Sequence, residues 1–272
     1  MKNLNPSARL PVLFVGHGSP LNVIENSIYR QSWQLLGNSV GQQWAKPQLI
    51  LCISAHWLTQ GWWLTAMAQP PTIHDFGGFP QALFDQQYPV PGFPAAAQEL
   101  ASLLTQPDTH QPLSLDEQTW GLDHGAWGVL KPMFPAADIP VIQLSMDAGQ
   151  PIPMHYQLGQ QLKKLRDHGV LIVASGNIVH NLRALRRDVP DNQTYDWAMS
   201  FDQAVANLIE SDQLPALQDA PQLPTYGLAH PTSDHFLPLL YAAGAVDTGE
   251  PMRFFNTGFQ AASISMRSVV WG

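Results

Sequence analysis

The sequence holds a single cysteine, Cys52, among its 272 residues. An intrachain disulfide is therefore excluded, as is a zinc site built on several thiolates. Charge is also scarce: 13 Lys and Arg stand against 21 Asp and Glu, a net charge of −8. The only basic clusters are Lys163–Arg166 and Arg183–Arg187, so the electrostatic footprint of a nucleic-acid binder is missing. Long apolar runs are absent too. The stretch Phe236–Val246 contains Pro238 and falls well short of the roughly 20 residues that a membrane helix needs. Met1–Leu10 has no basic-then-apolar signal pattern, which leads to the expectation of a cytoplasmic protein with no membrane partner. No phosphate-cradling GxxxxGK[ST] stretch, no GxGxxG after a strand and no GxSxG elbow occurs, so the common sequence signs of nucleotide binding and of a serine nucleophile are lacking.

Hydrophobic residues make up 45% of the chain, with 24 Pro and 9 Trp. That composition supports a sizeable core and many ordered loops. Three short runs, Pro11–Val15, Gln48–Ser54 and Val170–Ala174, are apolar on both faces, as strands covered from both sides are, and Pro140–Met146 reads as a further strand. Helical segments are expected over 26–36, 95–104, 153–168, 195–209 and 237–243, with another running from the turn after Ala174 through Arg187. The stretches RFFNTGF (253–259) and SISMRSVVW (263–271) read as two closing strands. No internal repeat or linker interrupts the pattern. The expectation is one α/β domain over 1–272, with a central mostly parallel or mixed sheet flanked by helices on both faces. Residues 69–94, rich in Pro, Gly and aromatics, are expected to form an ordered loop over a site. Cys52, inside an apolar run, reads as core.

The chemistry-bearing residues of this pattern are histidines. His17 stands between Gly16 and Gly18 after the first strand, and His56 ends the second. His180 lies a few residues beyond the Val170–Ala174 strand, and His124 sits in a glycine-rich turn after Asp123. Thr232 or Ser233 could cap a late helix whose first turn carries Asp234 and His235. Any one of them is as compatible with a packed turn as with a site, and His74-Asp75 with a capping or turn role. Together they converge on the carboxyl ends of strands, where open α/β sheets bind ligands. Imidazole is the commonest metal ligand and the natural acid or base near neutral pH.

The segments GHGSP (16–20), SAHW (54–57), HDFGGFP (74–80), LDHGAWGVL (122–130), ASGNIVHNLR (174–183) and HPTSDHFLPLLYAAGA (230–245) resemble those of the 4,5-DOPA extradiol dioxygenase family. This is a branch of the class III ring-cleaving dioxygenases similar to the catalytic subunit of protocatechuate 4,5-dioxygenase. The resemblance spans nearly the whole chain. It implies cleavage of a catechol ring by O₂ to a muconic semialdehyde, with Fe(II) as the active metal. It further implies His17, His56 and His235 as metal ligands, His180 as acid/base and His124 against the substrate. The wider class places a glutamate at the third ligand position, so Asp234 stands as an alternative to His235.

Three histidines are also a catalytic zinc set; zinc is thus an alternative occupant in purified protein, with His180 as a fourth ligand. Trp57, Phe79 and Trp127 are candidate walls for an aromatic ring. Arg183 and Arg253 are candidate partners for a substrate carboxylate. Two other readings share the histidine site: a zinc-dependent hydrolase, and a non-catalytic metal-binding protein. Oligomeric state is left open.

Overall fold

Alternate residues of the apolar runs enter different cores, which is why the runs carry no polar face. Val12 and Phe14, Leu49, Leu51 and Ile53, and Val170, Ile172 and Ala174 pack into one cluster. Leu13 and Val15, Ile50 and Cys52, and Leu171 and Val173 pack into the other. Side chains that point to opposite faces of a pleated strand make a sheet buried on both sides, and Cys52 is core as expected.

The computed structural model describes residues 1–191 and 193–272. In chain order the elements are β1 (Val12–Gly16), α1 (Ile28–Ser39), β2 (Leu49–Thr59), β3 (Trp63–Thr65), α2 (Gln81–Phe84), α3 (Pro94–Leu103), β4 (Ser114–Asp116), α4 (His124–Met133), β5 (Val141–Asp147), α5 (Ile152–Leu162), β6 (Val170–Gly176), α6 (Asp196–Glu210), α7 (Tyr226–Ala229), α8 (Leu237–Gly244), β7 (Met252–Phe255), β8 (Phe259–Gln260), β9 (Ile264–Ser265) and β10 (Ser268–Trp271). Eight strands form one sheet in the order β4-β3-β5-β2-β6-β1-β10-β7. The central four, β5, β2, β6 and β1, are mutually parallel. β10 runs antiparallel to β1, β7 to β10 and β3 to β5, so the sheet is mixed.

Several boundaries differ from the sequence reading, each for a local reason. β2 does not stop at Ser54 but continues to Thr59, and its pairing with β5 shifts register between Ile53 and Leu58. His56 therefore lies inside a bulged stretch of strand rather than beyond its end, the kind of irregularity that re-aims a side chain. No helix runs through Arg187; only a short 3-10 turn forms at Leu182–Ala184. The backbone there bonds elsewhere in the chain: His180 N–H donates to Ala229 O at 3.0 Å, Asn181 N–H to Ser263 O at 3.2 Å and Arg186 N–H to Ala261 O at 2.9 Å.

The expected helix over 153–168 is α5 followed by a 3-10 turn, Lys163–His168, which ends at Gly169 in the left-handed region. Each of the two closing strands divides into two short ones, β7 with β8 and β9 with β10. Asp234 and His235 lie in a turn before α8 rather than in its first turn.

Candidate metal centre and active site

The central strands deliver histidines to one end of the sheet. His17 follows β1, where its N–H donates to Gly176 O at 3.1 Å. Gly18 has φ of 59°, and a Cβ there would collide with the Gln260 amide oxygen and the Met266 sulfur. Glycine is therefore required on the far side of His17. His124 opens α4, whose N-cap Asp123 accepts from Ala126 N–H at 3.1 Å. Asp123 is itself fully buried, accepting from Ser54 Oγ at 2.6 Å and from the Gln143 side-chain amide. A Cβ on Gly125 would come within 2.8 Å of the His56 ring; the bare backbone lets that imidazole approach α4. His180 is held by a bridge to Ile264. His235 is tied to the end of β6, where Asn177 N–H donates to its carbonyl at 2.8 Å.

The five rings form one cluster. The centroids of His17, His56 and His235 make a nearly equilateral triangle, with sides of 5.2, 5.2 and 5.0 Å. His124 lies 4.0 Å from His56, and His180 stacks on His235 at 3.4 Å with the planes 4° apart. Judged by donor atoms, His17, His56 and His124 form one group within 4.8 Å, and His180, Asp234 and His235 a second. Sequence reasoning joined His235 to His17 and His56; the structure brings all of these residues together but also offers His124 as a competitor for the third place.

The Nδ1 atoms of the expected triad are turned toward oxygens. That of His17 meets Ser175 Oγ at 3.0 Å, that of His235 meets Asp234, and that of His56 lies 3.2 Å from Asp75. Such outer contacts fix the ring and leave Nε2 for a metal. The Nε2 atoms of His17 and His56 stand 3.3 Å apart. Two nitrogens each 2.0–2.1 Å from one ion at a tetrahedral angle are about 3.3 Å apart, so a divalent ion fits between these donors.

Asp75 was missed as a site residue. Its carboxylate lies 3.2 Å from His56 Nδ1 and 3.0 Å from His124 Nδ1, and its other oxygen accepts the His124 backbone N–H at 2.8 Å. The signal was the HDF motif itself, read as a turn.

Electrostatics favour neutral imidazoles. Burial, then the neighbouring rings, holds His17 and His235 well below the ordinary histidine value. Burial and His56 lower His124, and burial lowers His180 to about 4. His56 is the exception: burial opposes its charge, but Asp75, Asp123 and Asp234 outweigh it and raise the pKa. Burial works against the Asp75 carboxylate as well, yet His124 and His56 hold it far below the usual carboxylate range.

The cluster floors a cavity of about 590 Å³ lined by Phe76, Phe79, Leu182, Leu185, Ile264 and Arg187, among others. Of the three aromatic residues expected to wall it, Phe79 does. Trp57 is buried and stacks on Trp120 at 5.8 Å. Trp127 is buried under the 69–94 loop, with its indole N–H donating to Ile73 O at 2.8 Å. Phe76 takes the place in the lining that Trp127 would have had. Neither Arg183 nor Arg253 lines the cavity; Arg187 does. No helix among the described residues is long and apolar enough to cross a membrane.

The chain is similar to known proteins along nearly its whole length. The family model of the catalytic LigB subunit of aromatic ring-opening dioxygenase matches residues 12–269. The chain is 48% identical over 269 residues to a 4,5-DOPA dioxygenase extradiol of Escherichia coli strain K12, covering 98% of this chain and 96% of that one. It is 33% identical over 267 residues to a protein of the same name from Beta vulgaris, covering 94% of each. A crystal structure of an uncharacterized Escherichia coli K12 protein superposes with a TM-score of 0.81 at 40% identity, over 97% of this chain and all of that one.

Proposed function

The chain belongs to the family of the catalytic LigB subunit of aromatic ring-opening dioxygenases, and on that premise we propose a catechol of the DOPA type as its substrate and His17, His56 and His235 as the metal ligands. It is an extradiol ring-cleaving dioxygenase, and its partners are a small aromatic diol and O₂. The family match favours this activity over the hydrolase and the non-catalytic readings. The observation that carries the ligand assignment is the threefold arrangement of His17, His56 and His235, each with its Nδ1 turned to Ser175, Asp75 or Asp234. Asp234 is engaged by His235 and serves it rather than replacing it.

Fe(II) is the metal of the working enzyme in this reading. Bound there, it would supply the electron path between catechol and O₂ that neither reactant has alone. His180 is neutral at pH 7, because burial lowers its pKa to about 4, and it accepts the proton of a catechol hydroxyl and later returns it. His124, its Nδ1 3.0 Å from the Asp75 carboxylate, has its other nitrogen left to hydrogen-bond the reacting ring. Phe76 and Phe79 supply apolar walls. Three imidazoles also suit zinc, and His180, stacked on His235, would be the residue to supply a fourth ligand to it. We place the enzyme in the cytoplasm, a reducing setting that suits the free buried thiol of Cys52.

Iron-reconstituted protein under air should consume O₂ with a catechol and form a yellow product. Metal analysis of single Ala variants separates the two candidate triads: His235→Ala should lose metal while His124→Ala keeps it. Full stoichiometry in His235→Ala with loss in His124→Ala would exchange the two roles.

A further inference from the structure

We propose that Arg187 selects the substrate class: the cavity takes catechols whose side chain ends in a carboxylate, gripped by this guanidinium at the mouth, and makes no matching provision for an ammonium group. This rests on the reading of the cavity as the catechol site.

Arg187 is exposed and lines the cavity that the five histidines floor. Among the described residues it has no ion-pair partner, whereas its neighbour Arg186 is paired with Asp188 at 2.9 Å and lines a different depression beside Tyr195. The segment is fixed in place, because Arg186 N–H donates to Ala261 O at 2.9 Å and Ala261 also borders the cavity. A guanidinium with no ion-pair partner among the described residues, in a lining shared with Leu182 and Leu185, offers a planar fork to a carboxylate. The cavity's other charged lining residue, apart from the histidines, is Asp75, and its oxygens are taken by His56 and His124. A substrate tail carrying both carboxylate and ammonium therefore finds a built partner for only one of them.

Consequently 3-(3,4-dihydroxyphenyl)propanoate, which lacks the amine, should be at least as good a substrate as DOPA. Uncharged 4-methylcatechol should be poorer, and dopamine, with the amine alone, poorer still.

The test measures kcat/KM by oxygen uptake for these four catechols on iron-loaded protein, and Kd by calorimetry on the same protein under nitrogen, where no turnover occurs. The expected preference for the propanoate over 4-methylcatechol is about tenfold in both, the factor one charge-assisted hydrogen bond supplies. In Arg187→Gln that ratio should fall to near one; Arg187→Lys should keep part of it. Arg183→Gln, altered outside the cavity, should leave the ratio unchanged. A ratio that survives Arg187→Gln, or a dopamine Kd equal to that of the propanoate, overturns the proposal. Iron-loaded protein that opens no catechol at all refutes the ring-cleavage reading, and the substrate assignment with it.

Discussion

Asp75 offers the sharpest perturbation of the site, because one carboxylate serves two rings. It lies 3.2 Å from His56 Nδ1 and 3.0 Å from His124 Nδ1, and it accepts the His124 backbone N–H at 2.8 Å. Asn has the same shape but one acceptor oxygen. If that oxygen keeps the backbone N–H, the amide NH₂ faces both imidazoles. His56 must then accept at Nδ1, which moves its proton to Nε2, the atom a metal needs. If the amide turns over, the backbone donor at the start of α4 loses its acceptor instead.

Loss of such an outer-shell partner typically weakens metal binding 10- to 100-fold, equivalent to about 1.4–2.8 kcal/mol. The fold should survive, since Asp123 still caps α4. Zinc affinity of Asp75→Asn measured by chelator competition, with circular dichroism as the fold check, should show that drop. Affinity within twofold of wild type in a folded variant would refute the positioning role.

His180→Gln should retain Fe(II) and bind catechol yet lose on the order of 10²- to 10⁴-fold in turnover, the usual contribution of a positioned acid/base; loss of Fe(II) in the same variant would make it a ligand in the working enzyme. Away from the site, Tyr241 Oη accepts from Trp62 Nε1 at 2.7 Å and donates to His155 Nδ1 at 2.8 Å. Tyr241→Phe strands both nitrogens in the core, and urea unfolding should show a loss of roughly 2–5 kcal/mol; a loss below 1 kcal/mol would sink the network. Burial lowers the His155 pKa to about 4, so as pH falls below about 6.5 the unfolded chain takes up a proton that the folded one refuses. Stability from this group is present above pH 6.5 and lost as pH falls toward 4. The stability gap between wild type and His155→Gln should therefore narrow from pH 7.5 to 5, and a constant gap would contradict it.

The strand cores were legible because short apolar runs bounded by turn residues suit strands covered on both faces, and a histidine stands at or within a few residues of the end of three of them. His17 and His180 were placed on that signal. The extent of β2 was not legible, since a bulge between Ile53 and Leu58 lets the strand continue through His56. The same strand explains the misassigned Trp57. Successive side chains point to opposite faces, so with His56 in the cavity its neighbour is turned away, against Trp120. The helix expected through Arg187 failed because bonds to Ala229, Ala261 and Ser263, far along the chain, replace intrahelical ones. No local pattern announces such partners, and for the same reason nothing in the run Arg183–Arg187 distinguished the arginine that faces the cavity.

The proposed assignment of a histidine, His235, rather than a carboxylate to the third ligand position has a physical consequence. Imidazoles bind a metal in their neutral form, so three of them would leave the charge of a divalent ion uncompensated by its direct ligands. The carboxylates that offset it, Asp75 and Asp234, lie one residue further out, on His56 and His235. A catecholate oxygen bound directly would then meet more positive charge than at a centre with a carboxylate ligand, because attraction falls with distance and with the screening of the ring between. Exchanging ligand and outer shell would reverse this. His235→Asp in the iron-loaded protein should thus raise the Kd for 4-methylcatechol even where metal is retained, read by calorimetry under nitrogen. An unchanged or lower Kd at full metal occupancy would show that ligand charge does not set substrate affinity here.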